Sequence, residues 1–275
     1  MFEVGRIHAL QVDHVDERGA WLLGGGEAIL LPRREVSGEI KAGERLSVFV
    51  TRESSGSLVA TLRRPLAQLG EFALLRVRQV SRPGAFLDWG LEKDLLVPYS
   101  EQPERMQVGR NYLVKVCLDS LGRLVGTARI DRCLEKEEID LAEGEKVELV
   151  IWEFTDLGAR VIINDLYAGL LYKDELKGGL KRGDRLKGYV KRLREDRKVD
   201  VTLSRGGAEG MEEAKAVLLA ALRQSDFLPL HDQSPPAVIQ QVLGISKKTF
   251  KKAVGGLYKA GLVELGSEGI RLKKG

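Results

Sequence analysis

Two kinds of side chain that could hold an unpaired polynucleotide recur at ordered spacings in this chain: flat rings for bases and cations for phosphates. The rings are Trp21, Phe86, Tyr99 and Tyr172. The cations are Arg123, Arg160, Lys187, Lys191, Arg192 and Lys198, and Arg160 also offers a flat guanidinium for stacking. One stacked base contributes about 1–3 kcal/mol, so two or three rings outweigh any single surface lysine. Catalytic chemistry is poorly supplied by comparison. Cys117, Cys133, His8, His14 and His231 have no metal-ligand spacing, no P-loop motif occurs, and His231 has no flanking nucleophile motif. The acids fall in turns and linkers, where solvation accounts for them. The chain reads as a non-enzyme with no cofactor, no metal and no small-molecule substrate.

A threefold repeat positions these residues. Gly5, Gly70 and Gly144 each open an apolar run, and fourteen residues later stand Gly19, Gly84 and Gly158. These begin Gly19-Ala20-Trp21-Leu22, Gly84-Ala85-Phe86-Leu87 and Gly158-Ala159-Arg160-Val161. The segments Leu31–Glu35, Val97–Glu101 and Leu171–Glu175 follow, and eleven residues past Pro32, Pro98 and Tyr172 come Gly43, Gly109 and Gly183. Thr61, Thr127 and Thr202 mark the closing strands. Such a register kept three times is beyond chance.

Each unit reads as five short strands, with period-2 alternation in Leu46–Val50 and Leu186–Val190. Five strands are too few for a sandwich but suit a small closed Greek-key barrel of the OB type. Alternation turns Trp21 and Phe86 outward if Leu22 and Leu87 point inward. Tyr99 and Tyr172 then fall on the next strand, with Arg123 and Lys198 on the strand beside it. Ordinary packing is the competing reading for each ring, and Trp89 is as suited to packing under a loop. The run from Lys187 through Lys191, Arg192 and Arg194 to Lys198 alternates with apolar residues, which predicts several cations on one side.

From Met211 the apolar period becomes about 3.6, predicting a helix over 211–222. Ser234 with two prolines predicts a capped helix over 237–243, and Ser246 a cap for Lys247–Lys259. Gly261 ends that helix, and 262–272 reads as a hairpin. Phe250, Val254, Leu257 and Tyr258 should face the core, leaving Lys247, Lys248, Lys251 and Lys252 on or beside the opposite face. The whole is a winged helix. The expected architecture is multidomain and mainly β: three tandem OB-fold β-barrels (1–64, 65–130 and 143–204) and a C-terminal α+β winged helix (211–275). An acidic connector over 131–140 and a glycine-rich hinge over 204–210 would join them.

Length and composition agree. The 275 residues are 43% hydrophobic and 31% charged, a globular balance with room for several domains. No apolar run approaches the ~20 residues of a membrane span, and the N-terminus lacks a secretory pattern, which predicts a cytoplasmic protein. Net charge is +4, with the surplus gathered in the C-terminal half.

The pattern of glycine, alanine, aromatic and aliphatic, then an apolar segment ending in Glu, then a glycine and a closing threonine, resembles the ribosomal-protein S1 domain. Unit two fits best at its first glycine motif and at Asp119–Arg123. Unit three fits at Tyr172 but has Arg160 in the aromatic's place, and unit one has proline where Tyr172 stands. With the winged helix, the domain order is similar to the CvfB (YitL) family of bacterial RNA-binding regulators. That resemblance implies single-stranded RNA as partner and a post-transcriptional role. Two other readings stay open: a regulator whose winged helix reads duplex DNA, and a scaffold whose barrels bind proteins.

Overall fold

The computed structural model describes residues 3–273 except 37, 54, 177–178 and 205–206, and no side chains are described for 207–209. The chain forms two compact units, residues 1–139 with 148–186 and residues 140–147 with 187–275.

The first barrel comprises β1 (Ile7–Asp16), β2 (Gly19–Gly24), β3 (Glu27–Pro32), β4 (Arg45–Arg52) and β5 (Leu58–Thr61), closed in the order β1-β2-β3-β5-β4. Its core is aliphatic, with Val12, Leu22, Ile29, Leu31, Val48 and Val50 fully buried. The second consists of β6 (Phe72–Ser81), β7 (Gly84–Asp88), β8 (Leu95–Pro98), β9 (Asn111–Leu118) and β10 (Leu124–Thr127). It keeps the same strand order but has no ladder between β8 and β10. Side chains close that gap: a Cβ on Gly126 of β10 would come within 2.8 Å of Val97 Cγ2 on β8. The third repeats the closed order with β11 (Lys146–Thr155), β12 (Gly158–Ile163), β13 (Tyr167–Tyr172), β14 (Arg185–Leu193) and β15 (Val199–Thr202).

The repeated glycines have a common physical cause. Gly19, Gly84 and Gly158 pair directly with Pro32, Pro98 and Tyr172 on the neighbouring strand. A Cβ on any of them would run into the backbone carbonyl of Leu31, Val97 or Leu171. Two of the five sequence anchors are therefore one structural pair, and only glycine permits that approach. The other glycines act as hydrogen-bond pins. The Gly5, Gly70 and Gly144 N–H groups donate to the Val50, Val116 and Val190 carbonyls at 2.7–2.8 Å. Gly43, Gly109 and Gly183 do the same to Val12, Val77 and Ile151.

Within the first unit the barrels share apolar seams. Phe49 of the first barrel meets Trp89 of the second edge to face, centroids 5.7 Å apart, and the Trp89 indole donates to the Lys93 carbonyl at 2.7 Å. Trp89 is thus a packing residue. Phe72 and Leu113 of the second barrel form one buried cluster with Ile130 and Leu134 of the connector and Val150, Trp152 and Ile162 of the third barrel. The connector is a short 3-10 turn at Ile130–Arg132, followed by a bridge from Glu135 to Tyr167.

In the second unit, α1 (Gly207–Ser225), α2 (Pro236–Leu243) and α3 (Lys247–Lys259) pack with a sheet of β16 (Phe227–Leu228), β17 (Val263–Leu265) and β18 (Ile270–Leu272). Three expectations are corrected. The hinge residues from Gly207 onward are already the first turn of α1, because Ala and Glu among them favour helix. Ser234 does not cap α2. It is buried, and its Oγ accepts the His231 N–H at 2.9 Å, leaving Pro235 at the cap position. Tyr258 is exposed rather than in the core, since Leu257 beside it fills the inward position. Ser246 does cap α3, accepting the Thr249 N–H at 3.1 Å.

Candidate nucleic-acid interface

The three barrels build one outward position in the same way. β1, β6 and β11 each carry a bulge, at Val12/His14, Val77/Gln79 and Ile151/Glu153. The residue after each bulge faces the candidate side chain across the ladder: His14 opposite Trp21, Gln79 opposite Phe86, Glu153 opposite Arg160. Leu22 and Leu87, next in the strand, are fully buried, so Trp21 and Phe86 lie on the outer face, each partly exposed.

What surrounds the shared position differs. On the first barrel Trp21 sits among His14, Arg18, whose guanidinium is 5.0 Å from the ring centre, and Asp16, which accepts the indole N–H at 2.9 Å. That hydrogen bond, joined by the Arg18 and Gly19 N–H groups, holds the Asp16 carboxyl below its usual range. On the second, Phe86 pairs with Gln79 and Leu96. On the third, Arg160 lies flat on Trp152, 3.8 Å from the ring centre, and pairs with Asp131 at 3.0 Å and Glu153 at 3.2 Å. His14, Arg18 and Trp152 were not singled out from sequence. The bulges that place His14 and Trp152 shift the alternation by one residue, which no pattern of residue types announces, and Arg18 comes from the turn between β1 and β2.

Tyr172 ends β13 as expected, partly exposed. Tyr99 is not on a strand but opens the 3-10 turn after β8, because Pro98 ends the ladder. Its hydroxyl donates to the Ser81 carbonyl at 2.9 Å and the Arg105 guanidinium covers its ring at 3.7 Å.

Some of the basic residues are held by acids of their own turn, and others are exposed on a strand. Arg123 and Lys198 lie in turns just before β10 and β15, each held by an acid of its own turn, Asp119 at 2.7 Å and Asp196 at 2.7 Å. Asp119 also accepts the Leu121 and Arg123 N–H groups, and the latter chiefly pulls its carboxyl down. The Lys198 side chain does the same to Asp196. Lys187, Lys191 and Arg192 are exposed on β14, where a register shift between Val190 and Arg192 turns two successive cations outward. Arg194 is instead clamped to Asp200 at 2.6 Å.

On α3, Lys248, Lys251 and Lys252 are exposed and Lys247 half-buried, with Lys251 3.4 Å from Asp232. Gly255 and Lys259 continue the stripe from Lys248 and Lys252 at helical spacing, a signal that sequence reading could have used. A Cβ on Gly255 would meet nothing within 4 Å.

Comparison with known proteins agrees with this architecture. An S1 domain model matches residues 4–63 and 69–129, and a CvfB-like winged helix domain model matches 216–272. Conserved virulence factor B of Staphylococcus epidermidis is 27% identical over 98% of this chain and 95% of its own length. The Bacillus subtilis protein YitL, described as uncharacterized, is 26% identical over 94% and 90%. A solved multidomain protein with nucleic acid binding domains from Streptococcus pneumoniae is 23% identical, with 98% of each chain covered and a TM-score of 0.41. The chain thus carries S1 domains ahead of a CvfB-like winged helix domain, and it is similar to conserved virulence factor B and YitL along nearly its whole sequence.

Proposed function

We propose that the protein binds single-stranded RNA across the outer faces of its first two barrels and acts as a cytoplasmic post-transcriptional regulator, without catalysis. The observation that carries the reading is the repeated placement of Trp21 and Phe86 on two S1 barrels, each outward beside a buried leucine and opposite the residue after a bulge. A partly exposed ring so placed offers a base a stacking surface, and Arg18 beside Trp21 supplies a cation for the adjoining phosphate. Tyr172, Lys187, Lys191 and Arg192 extend the reading to the third barrel. Arg123, Arg160 and Lys198 contribute less, because each is already neutralised by a neighbouring acid. Two weak sites on one chain reinforce each other through effective concentration.

A second reading, duplex binding by the winged helix, draws on the α3 stripe of Lys248, Lys252 and Lys259 around Gly255, where backbone can approach a phosphate closely. One experiment separates the two. Labelled single-stranded RNA is competed with duplex DNA at several salt concentrations, using the wild type, a Trp21→Ala/Phe86→Ala variant and a Lys248→Ala/Lys252→Ala variant. The RNA reading requires preference for the single strand and its loss in the ring variant. Better competition by duplex, with only the lysine variant impaired, makes the winged helix the reader. No binding to either polymer at low salt leaves a protein-binding scaffold. No helix among the described residues is long and apolar enough to cross a membrane.

A further inference from the structure

A groove of about 610 Å³ lies between the second barrel, the connector and the β11–β12 ribbon. This is within the ~300–1,000 Å³ range of clefts that hold small ligands. Trp152 and Arg160 both line it, stacked on each other, so one flat side of the guanidinium is occupied by the indole. Asp131 and Glu153 grip the guanidinium edges and are thereby neutralised themselves. Arg132 and Arg182 also line the groove, and among the described residues neither side chain has an ion-pair or hydrogen-bond partner. Glu104 is the remaining acid of the lining, and Phe154, another lining residue, is 47% exposed.

Such a combination suits a nucleotide. A guanidinium backed by an indole and held at its edges presents a rigid platform to a base, and an exposed phenyl ring nearby offers a second one. Two arginines without internal partners supply forked donors for phosphate oxygens. We propose that this groove is a nucleotide subsite for a single strand, taking a base against Arg160 and Phe154 and its phosphates on Arg132 and Arg182. The proposal rests on the single-strand reading and adds a binding position at a junction. A free nucleoside monophosphate shares the chemistry, so both sources enter the test.

The test uses the full chain and a short labelled oligoribonucleotide, read by anisotropy over a salt series, with AMP as the small probe. Arg132→Ala/Arg182→Ala is expected to weaken binding about tenfold and flatten the salt dependence by roughly 1.4 logarithmic units, the loss of two single-strand phosphate contacts. Its melting temperature should match the wild type, since both side chains are exposed. Oligoribonucleotides carrying 4-thiouridine should crosslink to the peptide spanning residues 152–160, and Phe154→Ala should abolish that product. If the arginine variant binds within about twofold of wild type with an unchanged salt slope, while Trp21→Ala/Phe86→Ala fails to bind, the groove is empty of RNA although the barrel reading stands. Saturable AMP binding that excess oligoribonucleotide leaves untouched overturns the strand assignment. A wild type that binds no single strand ends both readings.

Discussion

His14 lies over Trp21, its ring centroid 6.0 Å away and the planes 18° from parallel, as direct partners across β1 and β2. With Asp16 holding the indole N–H, the tryptophan is braced from two directions before any ligand arrives. A ring already fixed loses little rotamer freedom on stacking. Among the described residues Phe86 has no comparable brace, its cross-strand partner being Gln79.

Trp21→Ala should therefore cost single-stranded RNA binding more than Phe86→Ala, within the ~1–3 kcal/mol that one stacked base contributes. Isothermal titration of the two single variants against one oligoribonucleotide checks the order. Equal losses would mean the brace has no bearing on affinity.

Backbone geometry offers a sharper contrast. Gly84→Ala pushes a methyl into the Val97 carbonyl and should destabilise the chain by several kcal/mol, beyond the ~1 kcal/mol of an ordinary surface change. Gly255→Ala meets open space in the middle of α3 and should stabilise by about 0.5–1 kcal/mol. Urea unfolding of both variants reads the opposite signs. If the α3 stripe touches phosphate, Gly255→Ala must also weaken duplex binding while raising stability.

How legible these features were depends on what fixes them. The close approach of Gly19, Gly84 and Gly158 to the neighbouring strand is a backbone requirement, so these glycines stood out as the invariant residue of the repeat, and the Ser246 cap was equally plain. Pairing of side chains is a different matter. Asp119 with Arg123 and Asp196 with Lys198 are neighbours in single turns, yet their cations read as free for phosphate until the turn geometry was known. Arg160 was placed correctly on its strand, but Trp152 beneath it and Asp131 beside it come from segments whose approach no local pattern encodes. Tyr258 illustrates the remaining kind of miss: adjacent Leu257 and Tyr258 both fit a helical stripe, and packing chose the leucine.

Cys117 and Cys133 interact thiol to thiol beside Lys115. The neighbouring Cys117 thiol, aided by the Lys115 charge, lowers the Cys133 pKa to about 7, whereas the same partnership and burial push Cys117 upward. Because the thiolate is the reactive form, Cys133 should become alkylated by iodoacetamide as pH rises through about 7, with Cys117 largely spared. Peptide mass spectrometry across pH 5–9 measures the selectivity, and Cys117→Ala, which removes that thiol, should move the Cys133 profile to higher pH.

Trp152→Ala removes the ring shared by the connector cluster and should cost about 3–5 kcal/mol. Hydrogen exchange should show the loss in β6 and β9 as well as in β11, since Phe72 and Leu113 contact the same cluster.

That cluster has an evolutionary and practical corollary. Tandem domains are often treated as interchangeable cassettes, cut at the linker and spliced elsewhere. Here an excision after the second repeat would strip the cover from Phe72 and Leu113 and hand solvent a sticky, aggregation-prone face. The last two repeats have to be inherited, expressed and engineered as a pair.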